Sequence, residues 1–257
     1  MDPIKRSTEK SRIWDRYKHR FIAISGVGAA IAAVLAVILL LSLSRKPAAG
    51  PFNGTVLKPP QPAADFVLQD QRGEIFRLAD AQGKVIVLTF LYTSCTDVCP
   101  FIGVKLKQAI ELLGEDASNV VFVAVSMDPN RDTAERVSEY SREIGMYERW
   151  HYVIGTQEQL EPVWQAYYIG EPVITDESKF LSDEELRSYG LFQGLDGPSI
   201  ATANRVRGKF GGGYDVGHAT PVWLIDAKQR IRVKLAADLA PSDLVQDVRQ
   251  LLKEISG

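Results

Sequence analysis

Sulfur and imidazole are scarce in this chain: it has 2 cysteines, 3 methionines and 3 histidines among 257 residues. So few cysteines exclude a disulfide-stapled scaffold. Met1, Met127 and Met146 form no cluster, so a methionine-rich metal site is not indicated. Excess charge of one sign is also missing, with a net charge of −2 at pH 7. No basic run lies beyond the N-terminal tail, and nucleic acid is therefore not suggested as a partner. No internal repeat is visible. A long apolar run is absent everywhere except at one place, Phe21 to Leu43.

That run carries no charged residue and is rich in Ala, Ile, Val and Leu. It is long enough to cross a bilayer as one helix. Lys5, Arg6, Lys10, Arg12, Arg16, Lys18 and Arg20 precede it, whereas only Arg45 and Lys46 follow closely. The positive-inside rule puts residues 1–20 in the cytoplasm as a basic tail and the rest of the chain outside. A cleaved signal peptide is the alternative, but it calls for an apolar core of about 7–15 residues and an A-x-A-like site. The tail looks unlike a mitochondrial transit peptide, which points to a bacterial cell membrane. Residues 44–64 carry Pro47, Pro51, Pro59, Pro60 and Pro62 and read as a Pro-rich tether. Residues 65–257 are near the size of one domain.

The two cysteines sit in Thr93-Ser94-Cys95-Thr96-Asp97-Val98-Cys99-Pro100. An apolar run, Val85 to Leu91, precedes them and a helical pattern, Phe101 to Leu113, follows. They lie where a buried strand hands over to a helix, and helix-start N–H groups favour a thiolate. Two such sulfurs can grip a soft metal or cycle between dithiol and disulfide. A purely structural bridge is a third reading, though closing so short a loop constrains the unfolded chain little. The C-x3-C spacing differs from the C-x-x-C of thioredoxin-type redox motifs.

Phe66 to Leu68 and Ile75 to Leu78 flank a turn and predict a hairpin. Val85 to Leu91 and Val120 to Val125 read as fully buried strands. The helix between them shows one apolar face, Ile102, Leu106, Ile110 and Leu113. Asp132 with Glu135 three later resembles a capping box that opens a helix through Ile144. Tyr152 to Ile154 predicts a short strand and Gln157 to Tyr167 a helix. Val222 to Asp226 and Ile231 to Leu235 predict strands, and a final helix starts near Ser242. This βαβ followed by ββα is the order of a thioredoxin-like α/β sheet. Residues 168–217 are poorly periodic and read as an insertion. It holds one short helix near Asp183 to Tyr189 and serves either as a partner surface or as a surface excursion without a role.

The cysteine motif, then Val125-Ser-Met-Asp128-Pro-Asn-Arg-Asp132-Thr133, then His218 before Trp223-Leu-Ile-Asp226, resemble the SCO/SenC family. The opening Asp65 to Gly73 and Gly83-Lys84-Val85 agree, and the match spans about Lys58 to Gly257 apart from the insertion. The resemblance implies a membrane-anchored, thioredoxin-like copper protein that helps assemble cytochrome c oxidase. Its partner would be the copper-acceptor subunit of that oxidase, with another copper or thiol carrier as a second candidate. Carried over residue by residue, the copper ligands are Cys95, Cys99 and His218. Two thiolates select Cu(I), and an added imidazole lets the site hold Cu(II) too. Structural zinc wants four ligands, and only three soft or borderline candidates converge. A lone histidine is more often a surface or core residue than a ligand. His218, however, lies just upstream of the Val222 strand and at the family's position. His19 and His151 read as solvated or structural.

The chain departs from the family at three points. Thr96 replaces a proline common between the cysteines. Gly217 precedes His218 where many members carry Asp, and Asp215 is off register. Thr220-Pro221 stands directly before a strand, where thioredoxin-like oxidoreductases have a cis-proline. An ordinary trans proline at a strand start is the alternative. Asp97 reads first as a helix cap and second as a charge that tunes the thiols. Two functions compete. One is an exposed three-ligand site that delivers copper. The other is a thiol–disulfide oxidoreductase with Cys95 attacking and Cys99 resolving. A copper or redox sensor is a third, supported only by the insertion.

Overall fold

The computed structural model describes residues 52–176 and 179–256. The expected tail and membrane anchor, and the first part of the tether, lie outside the described residues. Among the described residues no helix is long and apolar enough to cross a membrane.

Residues 50–257 form one compact unit. Its centre is a six-stranded sheet in the order β1-β10-β9-β4-β5-β6. These strands are β1 (Thr55–Pro62), β4 (Val85–Leu91), β5 (Val120–Ser126), β6 (His151–Val153), β9 (Val222–Ile225) and β10 (Arg230–Leu235). A separate hairpin pairs β2 (Val67–Gln69) with β3 (Ile75–Arg77), as expected. β4 pairs parallel with β5, and β5 with β6. Parallel neighbours need crossovers, and helices α1 (Val98–Leu113) and α2 (Ala134–Ile144) supply them. All seven residues of β4 are buried, which is why it reads as one continuous apolar run. α3 (Gln157–Ala166) follows β6. The closing helix, α6 (Pro241–Ser256), packs on α1.

Three expectations change. Residues 55–62 are not a free tether: they form β1, antiparallel to β10. Proline cannot donate to a ladder, so it is tolerated only at an edge or a bulge. Here β1 is an edge, and its register shifts between Val56 and Gln61, across Pro59 and Pro60. Secondly, Asp132 does not cap α2. Thr133 does, accepting from the Arg136 N–H at 3.2 Å, while Asp132 turns into the core. Thirdly, residues 168–217 are not a bare excursion. They contain β7 (Val173–Thr175) paired with β8 (Asp215–Gly217), the expected short helix α4 (Asp183–Ser188), and an unforeseen helix α5 (Gly197–Phe210). α5 packs against α1 and α2, with Ala203, Val206 and Phe210 buried.

Candidate metal centre

β4 ends at Leu91 and β5 at Ser126, side by side in register. The cysteine loop leaves the carboxyl end of β4, where open α/β sheets form their binding crevices. Cys95 sits in the loop and Cys99 in the first turn of α1. Both are free and buried, at 1 % and 0 % exposure. The expected exposure of the site is therefore not met. The Cys99 N–H donates to Cys95 Sγ at 3.4 Å. Asp97 performs both candidate roles: its carboxylate accepts from the Val98 N–H at the helix start and from Cys95 Sγ at 2.8 Å.

These contacts separate the two sulfurs. Burial pushes the Cys95 thiol well up, and its hydrogen bond to Cys99 and the charge of Asp97 add to the push. Burial also opposes a thiolate at Cys99, but the neighbouring Cys95 and the nearby His218 imidazole outweigh it and lower the Cys99 thiol from its usual range. The two thiols are thereby shifted in opposite directions, Cys95 up and Cys99 down.

His218 follows β8 and is half-buried. Its Nδ1 lies 2.7 Å from the Ala219 carbonyl oxygen, which can only accept. Nδ1 therefore carries the hydrogen and Nε2 the lone pair. Nε2 is buried and has no hydrogen-bond partner. A backbone carbonyl that fixes one ring nitrogen and leaves the other free is the usual arrangement of a metal-binding histidine. The three side chains do not form a closed cluster: among the described residues no group of three His, Cys, Asp or Glu stands ready to hold a metal ion. Cys95 and Cys99 touch, and His218 stands close enough to steady the Cys99 thiolate. His151, by contrast, is tied to Asp70 at 2.9 Å and is structural.

Several residues that build the site escaped the sequence reading. The Tyr92 ring meets His218 edge-on, with centroids 5.7 Å apart. Its hydroxyl donates to Asp215, the acid that looked off register. Arg131 pairs with Asp128, donates to the carbonyls of Gly212 and Tyr214 at 2.9 Å each, and stacks 3.5 Å over the Tyr214 ring. Thr96, where the family carries proline, donates its hydroxyl to the Lys179 carbonyl at 2.9 Å. The Gly212 N–H reaches the Ser94 carbonyl at 3.2 Å. The insertion thus covers the cysteine loop. Thr220–Pro221 is trans, because the one cis bond among the described residues is Lys58–Pro59. Pro221 immediately precedes β9, and its carbonyl accepts from the Thr89 hydroxyl at 3.1 Å.

Fold and site together define a mixed α/β domain with a buried dithiol and a nearby imidazole at the carboxyl ends of parallel strands. The family model described as SCO1/SenC matches residues 56–184. The chain belongs to the SCO1/SenC family. A SCO2-like protein of Rickettsia prowazekii is 31 % identical over 167 residues, 64 % of this chain and 78 % of that one. The apo Sco1 structure from Thermus thermophilus superposes with a TM-score of 0.56 at 26 % identity, covering 79 % of this chain and 99 % of its own. The structure of Arabidopsis thaliana ScoI with copper bound superposes with a TM-score of 0.55 at 21 % identity, covering 75 % and 98 %.

Proposed function

We propose that this protein carries copper on Cys95, Cys99 and His218 and hands it to the copper-acceptor subunit of cytochrome c oxidase. The observation that carries the reading is the buried, unpartnered Nε2 of His218 near the Cys95–Cys99 pair. A lone pair without a hydrogen-bond donor is costly to bury unless something else is to occupy it. Two thiolates and one imidazole suit Cu(I), with no fourth ligand to make a closed zinc site. The family and the copper-bound ScoI of Arabidopsis thaliana support the choice of metal. A three-ligand site can bind tightly and still release by ligand exchange, as a carrier must. The Phe21–Leu43 run would hold the domain at the outer face of a bacterial cell membrane, near a membrane-bound acceptor.

Copper binding needs little from the chain beyond proton release and a small closure. Both thiols must give up a proton, and the Asp97 carboxylate accepts from the Cys95 thiol. The Ala219 carbonyl engages Nδ1 of His218 and leaves Nε2 free for the metal. The same contact between the sulfurs favours disulfide formation, so thiol–disulfide exchange with the acceptor's cysteines is the second reading. An oxidised pair cannot hold the metal, which makes the two activities successive states of one site.

The test is an anaerobic titration of the reduced protein with Cu(I), following stoichiometry and thiolate-to-metal absorption. The expected result is one tightly held copper, lost in Cys95→Ser and in Cys99→Ser and weakened at least tenfold in His218→Ala. A wild-type protein that retains no copper but exchanges disulfides quickly would leave only the reductase reading.

A further inference from the structure

Asp132 is 3 % exposed and, among the described residues, belongs to no ion pair. Its carboxylate accepts from four groups. Oδ1 takes the Thr93 N–H at 3.0 Å and the Thr93 hydroxyl at 2.6 Å. Oδ2 takes the Ser126 hydroxyl at 2.7 Å and the Tyr152 hydroxyl at 3.2 Å. The direction of these bonds is settled by their neighbours. Arg136 Nε, which can only donate, gives its hydrogen to Thr93 Oγ1 at 2.9 Å, so the Thr93 proton must point at Asp132. The Asp128 N–H donates to Ser126 Oγ at 3.1 Å, which sends the Ser126 proton the same way. A carboxyl met only by donors is held as the anion. Burial opposes this and raises the group to about 6, which still leaves it ionised at neutral pH.

Thr93 stands two residues before Cys95. Arg136 extends the same grip, donating to Ser94 Oγ at 3.0 Å and to the Phe210 carbonyl at 2.6 Å, at the end of α5. Thr133 already caps α2, so the helix does not require Asp132.

We infer that Asp132 is a positioning residue for the cysteine pair: its carboxylate, through Thr93 and with Arg136, fixes the loop that presents Cys95 to Cys99 and to the metal. The inference rests on the reading that Cys95 and Cys99 are the working pair. Asp132→Asn keeps the shape but puts an N–H2 group where one oxygen faces two donors. The chain from Thr93 to Cys95 is then free to shift, while the sheet beneath it is unchanged.

The experiment measures the dithiol–disulfide equilibrium constant of the purified full chain in detergent against a glutathione buffer, then the absorption of the Cu(I)-loaded protein. Asp132→Asn is expected to move the constant at least tenfold, about 30 mV, and to alter the thiolate-to-metal band. Thr93→Val, which removes the hydroxyl that joins Asp132 and Arg136 and leaves only the backbone N–H on the carboxylate, is expected to shift both in the same direction, and Thr93→Ser to restore wild-type values. Tyr152→Phe removes a donor from the same carboxylate away from the loop and is expected to stay within twofold of wild type. If Asp132→Asn fails to fold, Thr93→Val alone decides. An unchanged constant in folded Asp132→Asn and Thr93→Val, or an equal shift in Tyr152→Phe, overturns the inference. A wild-type chain that binds no copper would instead sink the copper reading and leave the dithiol constant as the test of Asp132.

Discussion

Lys105 is the residue whose burial is hardest to read from the chain. It stands on α1 at the flank of the stripe formed by Ile102 and Leu106, where a charged head is expected to reach out to solvent. In the fold it is fully buried. Its Nζ donates to the carbonyls of Ala237 at 3.1 Å and Gly190 at 3.4 Å. The cause is α5 and the insertion, which cover a second side of α1 that periodicity had left bare. Burial lowers the Lys105 ammonium to about 8. The unfolded chain keeps this proton to about pH 10.4. Between these values the unfolded state binds more protons than the native one, so this group's contribution to stability rises with pH. Its full cost is present below about pH 8. Lys105→Met is therefore expected to be more stable than wild type by about 2 kcal/mol at pH 7 after allowing for two orphaned carbonyls. The advantage should vanish and reverse by about pH 10.5, where only the cost of the orphaned carbonyls remains. Urea unfolding of both proteins at the two pH values checks it, and a gap that does not change with pH contradicts it.

At the scale of elements, the insertion works as the cover of the cysteine loop. Gly211 ends α5 with φ −68° and needs no special backbone. It needs space instead, since a Cβ there would lie 2.4 Å from the Arg207 carbonyl and 2.9 Å from Thr96 Cγ2. Gly211→Val is expected to cost about 1–3 kcal/mol by overpacking and to lift the cover, so that alkylation of the cysteines by iodoacetamide speeds up at least tenfold. A lower melting temperature with unchanged alkylation would show that the cover and the loop are independent. The strongly patterned elements were legible: β4, β5 and α1 follow their apolar runs, and the β2–β3 hairpin follows its turn. α5 was not, although Asp196 as cap, Pro198 in the first turn and the 3–4 spacing of Ala203, Val206 and Phe210 were all present. The glycines from Gly208 to Gly213 masked a short stripe that only becomes apolar surface because α1 and α2 lie beneath it. Asp132 was misread for a related reason. A capping pattern is local, and the donors that claim its carboxylate stand at the ends of β4 and β5 and in β6, outside the helix start.

At the scale of the whole molecule, the start of the domain is part of its core structure. The Asn53 and Gly54 N–H groups donate to the buried Asp247 on α6 at 2.7 and 2.9 Å. Gly54 has no room for a side chain, because a Cβ would meet Val233 Cγ1 at 2.5 Å. The proline content that signalled a tether signals an edge strand just as well, and only pairing with β10 tells them apart. A chain begun at Asp65 would lose β1, open the β10 edge and strand the Asp247 carboxylate. It is expected to be less stable than one begun at Gly50 by about 3 kcal/mol and to self-associate through the bare edge. Sedimentation and urea unfolding of the two would show it, and equal stability and mass would contradict it. The cysteine pair was legible because it is a local motif at a strand end. The burial of the site and the part played by Tyr92 and Asp215 were not, because each depends on residues brought in from the insertion.

The central claim is that two sulfurs and one imidazole nitrogen hold the same copper. Copper K-edge absorption of the anaerobic Cu(I)-loaded protein tests it most directly. The account expects two sulfur scatterers and one nitrogen, with the nitrogen lost in His218→Ala and one sulfur lost in either cysteine variant that still retains metal. A first shell of sulfur alone, or one that His218→Ala leaves unchanged, would contradict it.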